Sequence, residues 1–184
     1  MNDRRFSGEI ERLRAPERLA RLEVERVVDL SIVEPVPTSM LDIGTGSAIF
    51  AEAFANKGLQ VAGIDLREDM LEAAQQFVPD GDFRLAHMEI LPFEDDAYDL
   101  VFMGLVLHEA DYLERALTEA YRVARQRVMI LEWPHEVGEF GPPLEHRLQP
   151  QSVLDTGHKV GFKGMQQIPL QHLTLFQMEK TRIL

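Results

Sequence analysis

Leu41-Asp42-Ile43-Gly44-Thr45-Gly46-Ser47-Ala48 is the stretch whose reading decides the fold. Met40–Ile43 reads as a short buried strand that runs into a glycine loop. Ile49, Phe50, Ala53 and Phe54 then recur at helical spacing, and Gly58 supplies a stop. Glycines at 44 and 46 let backbone approach a ligand closely and accept φ angles that other residues resist. In an open α/β sheet, a loop at the carboxyl end of the first parallel strand is the usual ligand position.

Outward from this unit the pattern repeats. Gln60–Asp65 reads as a second strand, followed by a helix marked by Met70, Leu71, Ala74 and Phe77. A turn at Pro79-Asp80-Gly81 precedes a third strand over 83–87, and 98–104 is a strongly apolar fourth. Asp111 is the expected cap of a helix whose inner face is Leu113, Ala116, Leu117, Ala120 and Val123. A fifth strand over 127–133 leads into a Gly/Pro-rich connection. A weaker helix over 150–158 and two strands near 162–168 and 172–180 complete the chain. Upstream, Pro16 sits where a helix begins, with Leu19, Leu22, Val27, Val28 and Leu30 following. Alternating helices and doubly apolar strands predict an α/β fold with a doubly wound, mostly parallel sheet and helices on both faces. The closing strands, joined by a short turn near Pro169, read as antiparallel.

The chain of 184 residues is 45% hydrophobic and 27% charged, as expected of one globular domain. It has no cysteine, which excludes disulfides, thiolate metal sites and a cysteine nucleophile. No metal ligand set is expected. No apolar run is long enough to span a membrane, and 1–14 lacks an apolar signal core, so the expected location is cytoplasmic. The net charge of −12 disfavours a nucleic-acid partner. Residues 1–22 depart from that trend, with six arginines against four acids.

The loop admits three readings. A bare strand-to-helix turn is one. A nicotinamide dinucleotide loop is another, but its third glycine falls at Ile49, against the close helix–strand contact that motif needs. S-adenosylmethionine is the third; it has no pyrophosphate, and Asp42 sits where an acid meets its ammonium group. Asp65, at the end of the second strand, suits ribose hydroxyls in either nucleotide reading.

Five pieces in order resemble the Rossmann-like, seven-stranded S-adenosylmethionine-dependent methyltransferases: LDIGTGSA (41–48), VAGIDLREDMLEAA (61–74), LPFEDDAYDLVFMGLVLHE (91–109), LTEAYRVARQRVMILEWP (117–134) and GHKVGF (157–162). The resemblance implies a seven-stranded sheet with a reversed last strand in a single domain, 1–184. Residues 1–38 would form an amino-terminal helical cover and link, and 39–184 the Rossmann-like core. It implies S-adenosylmethionine as cofactor and a small-molecule methyl acceptor as partner. By position, Asp42, Gly44, Thr45 and Gly46 would surround the methionine part and Asp65 the ribose. Leu66 would pack on the adenine, His87 and Met88 would lie along its edge, and Met103 and Gly104 would flank the sulfonium. Ala48 stands where the family often has a third glycine, and His87 where relatives commonly place Asp.

Methyl transfer needs a base only if the acceptor must lose a proton. His108 and Glu109 after the fourth strand, and His135 and Glu136 after the fifth, are the candidates. Absence of cysteine sets aside pyrimidine C5 and arsenite methylation. Gly104-Leu105-Val106-Leu107-His108 replaces the (Asp/Asn)-Pro-Pro-aromatic motif of base amino-methylation. The region 134–149 and the amino-terminal helix are expected to cover the pocket. Phe6, Arg14, Trp133 and His146 are candidate substrate contacts, and Arg14 or Arg147 would suit an anionic acceptor. Two alternatives stand beside this reading: a non-catalytic partner or sensor of the same fold, and a nicotinamide oxidoreductase.

Overall fold

Seven strands form one sheet in the order β3-β2-β1-β4-β5-β7-β6. The structure is a computed structural model that describes residues 8 and 10–180. The strands are β1 (Ser39–Ile43), β2 (Gln60–Asp65), β3 (Asp82–Leu85), β4 (Tyr98–Gly104), β5 (Ala124–Glu132), β6 (Gly164–Pro169) and β7 (Thr174–Glu179). The helices are α1 (Ile10–Leu13), α2 (Pro16–Leu22), α3 (Val24–Ser31), α4 (Ile49–Asn56), α5 (Glu68–Phe77), α6 (Leu113–Val123) and α7 (Pro150–Val160). β1 through β5 pair in parallel, and β7 runs antiparallel to both β5 and β6. Only the last strand is reversed, as the resemblance implied.

Strand alternation builds two cores. Leu41, Ile43, Val101, Met103, Val128 and Ile130 face α6 and α7, whose Ala116, Leu117, Ala120 and Val153 close that side. Met40, Leu100, Phe102, Met129 and Leu131 face the opposite way, against Leu22, Val27, Phe50 and Phe54. The order of strands reverses at β1, with β2 and β3 laid down on one side and β4 and β5 on the other, so the loops leaving the carboxyl ends of β1 and β4 diverge and open a crevice between them.

The amino-terminal helices are fastened to this frame by Arg127. Its buried guanidinium donates to the carbonyls of Val33 (2.7 Å) and Glu34 (3.1 Å) and pairs with Glu179 (3.1 Å). The helix starting at Pro16 is broken at Glu23, whose φ of 47° ends α2 and begins α3. Two local expectations need correction. The third strand stops at Leu85, because 86 and 87 turn away and His87 bridges back to Ile90. Asp111 does not cap α6. Tyr112 takes the cap position without a side-chain bond, and Asp111 lies 3.6 Å from His87. Among the described residues, no helix is long and apolar enough to cross a membrane.

Candidate active site

The turn between β1 and α4 is wound by three left-handed residues, Gly44 (φ 69°), Gly46 (φ 51°) and Ala48 (φ 58°). A Cβ on Gly44 would fall 2.4 Å from Val106 Cγ2, so glycine is required there by the loop leaving β4. Ala48 takes the left-handed conformation without glycine's freedom, which costs about 1 kcal/mol. The turn is tied to β2: Thr45 N–H donates to the Ile64 carbonyl and Gly46 N–H to Asp65 Oδ2, each at 2.9 Å.

Two carboxylates lie beneath this turn. Asp42 is buried and accepts from Thr45 Oγ1 at 2.9 Å. Burial pushes its carboxyl up to about 7 and the nearby charge of Asp65 adds to the rise, while the Thr45 hydrogen bond opposes it. Asp65 is also raised by burial, against the hydrogen bonds from the N–H groups of Gly46 and Arg67. Gly46 and Arg67 take one oxygen each and the Leu66 N–H also bonds this carboxylate, which leaves part of its roughly four acceptor positions unused at the cleft wall.

Around them is a cleft of about 740 Å³, within the range of small-molecule sites. Of the residues singled out in the sequence, Asp42, Gly44, Thr45, Gly46, Asp65, Leu66, His87, Met88, Gly104, His108 and Glu109 line it. Met103 does not. On β4 it shares a face with Val101, and its side chain is enclosed in the core against α6. His135 is not brought into the cleft either. Its Nδ1 lies 3.0 Å from the Arg147 carbonyl and its Nε2 2.6 Å from Gln149, so its ring braces the 134–149 segment. Glu136 and His146 are likewise absent from the lining. Phe6 lies outside the described residues.

His87 has a defined ring. Its Nδ1 accepts from Glu89 N–H at 3.2 Å, which puts the proton of the neutral ring on Nε2, toward Asp111. His87, Glu89 and Asp111 could present metal-ligand atoms within 4.8 Å of one another. Internal bonds already knit that trio, since Glu89 Oε1 also accepts from Tyr112 N–H at 2.7 Å.

The sequence reading missed Glu132. This buried residue ends β5 and accepts from the His108 backbone N–H at 3.0 Å and from Trp133 N–H at 3.2 Å. His108 Nδ1 lies 2.9 Å from Glu132 Oε2. An ionised carboxylate can only accept, so Nδ1 carries a proton and the ring's basic atom is Nε2. A signal was present: an acid closing the apolar run Val128–Leu131, at the sheet edge where Asp42 and Asp65 already stand.

The roof of the cleft comes from α1 and α2 on one side and from Trp133 and 139–142 on the other. The two sides meet where the Arg21 guanidinium lies 3.9 Å above the Phe140 ring centre. Of the expected substrate contacts, Trp133 lines the cleft and Arg14 and Arg147 do not. Arg14 is spent on the Ser47 carbonyl and Glu52, and Arg147 on the carbonyls of Pro134, Glu136, Phe140 and Pro142.

Residues 41–131 match the model of the methyltransferase domain family. With the sheet order and the cleft, this places the chain in the Rossmann-like S-adenosylmethionine-dependent methyltransferases. It is 30% identical over 105 residues to a demethylmenaquinone methyltransferase of Renibacterium salmoninarum, covering 56% of this chain and 44% of that protein. It is 33% identical over 107 residues to a malonyl-[acyl-carrier protein] O-methyltransferase of Serratia marcescens, covering 58% and 42%. The aligned residues therefore span less than half the length of these relatives. A solved S-adenosylmethionine-dependent methyltransferase from Aquifex aeolicus superposes with a TM-score of 0.81 at 22% identity, over 92% of this chain and 96% of that one.

Proposed function

We propose that this protein transfers a methyl group from S-adenosylmethionine to a small-molecule acceptor. The observation that carries the reading is the Asp65 carboxylate. It is held by backbone N–H groups beside the glycine turn, with acceptor capacity left toward the cleft. Asp42 and the 44–46 backbone would hold the methionine part, Asp65 the ribose, and Leu66 and Met88 the adenine faces. Bound there, the cofactor supplies a methyl group already activated on sulfur, so the protein's task is alignment and water exclusion. Where the acceptor must lose a proton, His108 Nε2 would take it. Glu132 fixes the ring and stabilises the imidazolium that forms. Glu109, also in the lining, is the second candidate base. The relatives named above differ in their acceptors, so their names supply a class and not a compound.

The test is a thermal melt and calorimetric titration with S-adenosylhomocysteine, run beside NAD. At a hundred times its dissociation constant, a ligand adds about 2.7 kcal/mol, a rise of roughly 5–11 °C for a chain of this size. Equal shifts with both ligands, or a shift with NAD alone, would overturn the reading.

A further inference from the structure

Seven of the twelve arginines among the described residues are neutralised by a carboxylate. Arg14, Arg26, Arg67, Arg84, Arg122, Arg125 and Arg127 each have a carboxylate within 3.1 Å, in a chain with 31 acidic against 19 basic residues. The other five have no such partner: Arg115 is exposed, Arg147 is held by loop carbonyls, and Arg12, Arg18 and Arg21 line the cleft. Arg12 is exposed, whereas Arg18 and Arg21 are half-buried and, among the described residues, make no ion pair, although Glu17 and Glu139 also line the cleft. Arg18 donates to the Leu13 carbonyl at 3.0 Å. Arg21 Nε is buried without a hydrogen-bond partner among the described residues. Two cations half withdrawn from water, three residues apart on α2, are costly to hold together unless an anion joins them. The strain shows in Arg18, whose guanidinium is lowered by burial and by the charge of Arg21.

Position says which ligand the anion belongs to. Asp42, the glycine turn and Asp65 occupy the β1–β2 side of the cleft. Arg21 lies over Phe140. Phe140 is followed by Gly141, where a Cβ would fall 2.6 Å from the Trp133 ring. Trp133 directly follows Glu132, the partner of His108. Arg21 therefore roofs the β4–β5 side, where the acceptor would meet the candidate base.

We propose that Arg21, with Arg18 beside it, is the anchoring site for an anionic group, a carboxylate or a phosphate, on the methyl acceptor. The proposal rests on the cofactor reading of the opposite side of the cleft. The planar fork of a guanidinium pairs bidentately with either anion, and the Phe140 face holds Arg21 in place for it.

The experiment uses the full chain saturated with S-adenosylhomocysteine. Inorganic phosphate, succinate and glycerol are titrated separately and followed by amide NMR shifts. Phosphate or succinate should bind saturably at cleft residues and glycerol should not; the stronger of the two names the preferred group. Arg21→Gln should weaken that binding about tenfold or more, with the affinity for S-adenosylhomocysteine kept. Arg21→Lys should fall between, and the exposed Arg115→Gln should change nothing. Anion binding unaffected by Arg21→Gln, or no saturable anion binding to the parent, overturns the proposal. So does a loss of S-adenosylhomocysteine affinity with anion binding intact, which would assign the pair to the cofactor's own carboxylate. If S-adenosylhomocysteine does not bind the parent, the first titration shows that separately, and the anion series is read on the free protein.

Discussion

Asp42→Asn should make the protein more stable and a poorer binder, and pH should control both effects. Asp42 ionises at about 7 in the folded chain, against a usual 3.8. At 1.36 kcal/mol per unit, that difference is about 4 kcal/mol. Because the folded value is the higher one, the native state holds more protons than the unfolded state between those values. Stability is therefore lost as pH rises from about 4 to 7, and the full cost is in place at pH 8. Asparagine keeps an oxygen for the Thr45 hydroxyl and carries no charge to desolvate. Melting the two proteins at pH 4.5 and pH 8 should show little difference at the lower pH. At pH 8 the variant should gain up to about 4 kcal/mol, of order 10 °C. Binding runs the other way. A ligand ammonium beside Asp42 favours the ionised carboxylate, so below pH 7 the ligand must displace a proton. S-adenosylhomocysteine affinity should then fall by up to tenfold per pH unit between 7 and 5.5. Calorimetry in buffers of different ionisation enthalpy reads the released proton directly. A pH-independent affinity in the parent, or no stabilisation of Asp42→Asn at pH 8, would refute the reasoning.

Three further outcomes follow from single contacts. Gly44→Ala should destabilise by about 1–3 kcal/mol, because its Cβ meets Val106 at 2.4 Å. In urea unfolding, Val106→Ala in the same chain should recover part of the loss, and strict additivity would show that the clash is not the cause. Asp65→Ala should weaken S-adenosylhomocysteine binding roughly tenfold to a hundredfold by calorimetry. It should also cost about 1–3 kcal/mol of unliganded stability, since the carboxylate braces the N–H groups of Gly46 and Arg67. Glu132→Gln should scramble the His108 tautomer. Nitrogen NMR of the ring should show Nδ1–H in the parent and a changed proton distribution in the variant; identical spectra would remove Glu132 as the positioning residue.

What was legible in the sequence is what local geometry dictates. The glycine turn, the alternating strands and the acids at strand ends all follow from neighbours in the chain, and Asp42, Thr45 and Asp65 line the cleft accordingly. What was not legible depends on partners far along the chain. His108 and His135 both follow parallel strands and look alike in sequence. Glu132, 24 positions away, fixes the ring of the first at the cleft wall, while the Arg147 carbonyl turns the second into a brace. Arginine shows the same split. Arg14 and Arg147 seemed suited to an anion, but Glu52 and four loop carbonyls consume them. Arg18 and Arg21 carry no motif that singles them out in the sequence, yet they line the cleft without an ion pair among the described residues. Residue type gives a side chain's chemical capacity. Whether that capacity reaches a ligand depends on which internal partner claims it first, and for buried charges that partner comes from another strand or loop. Candidate site residues in this fold are therefore best ranked by what they are left without after folding, and by that measure Arg21 outranks both arginines that the sequence brought forward.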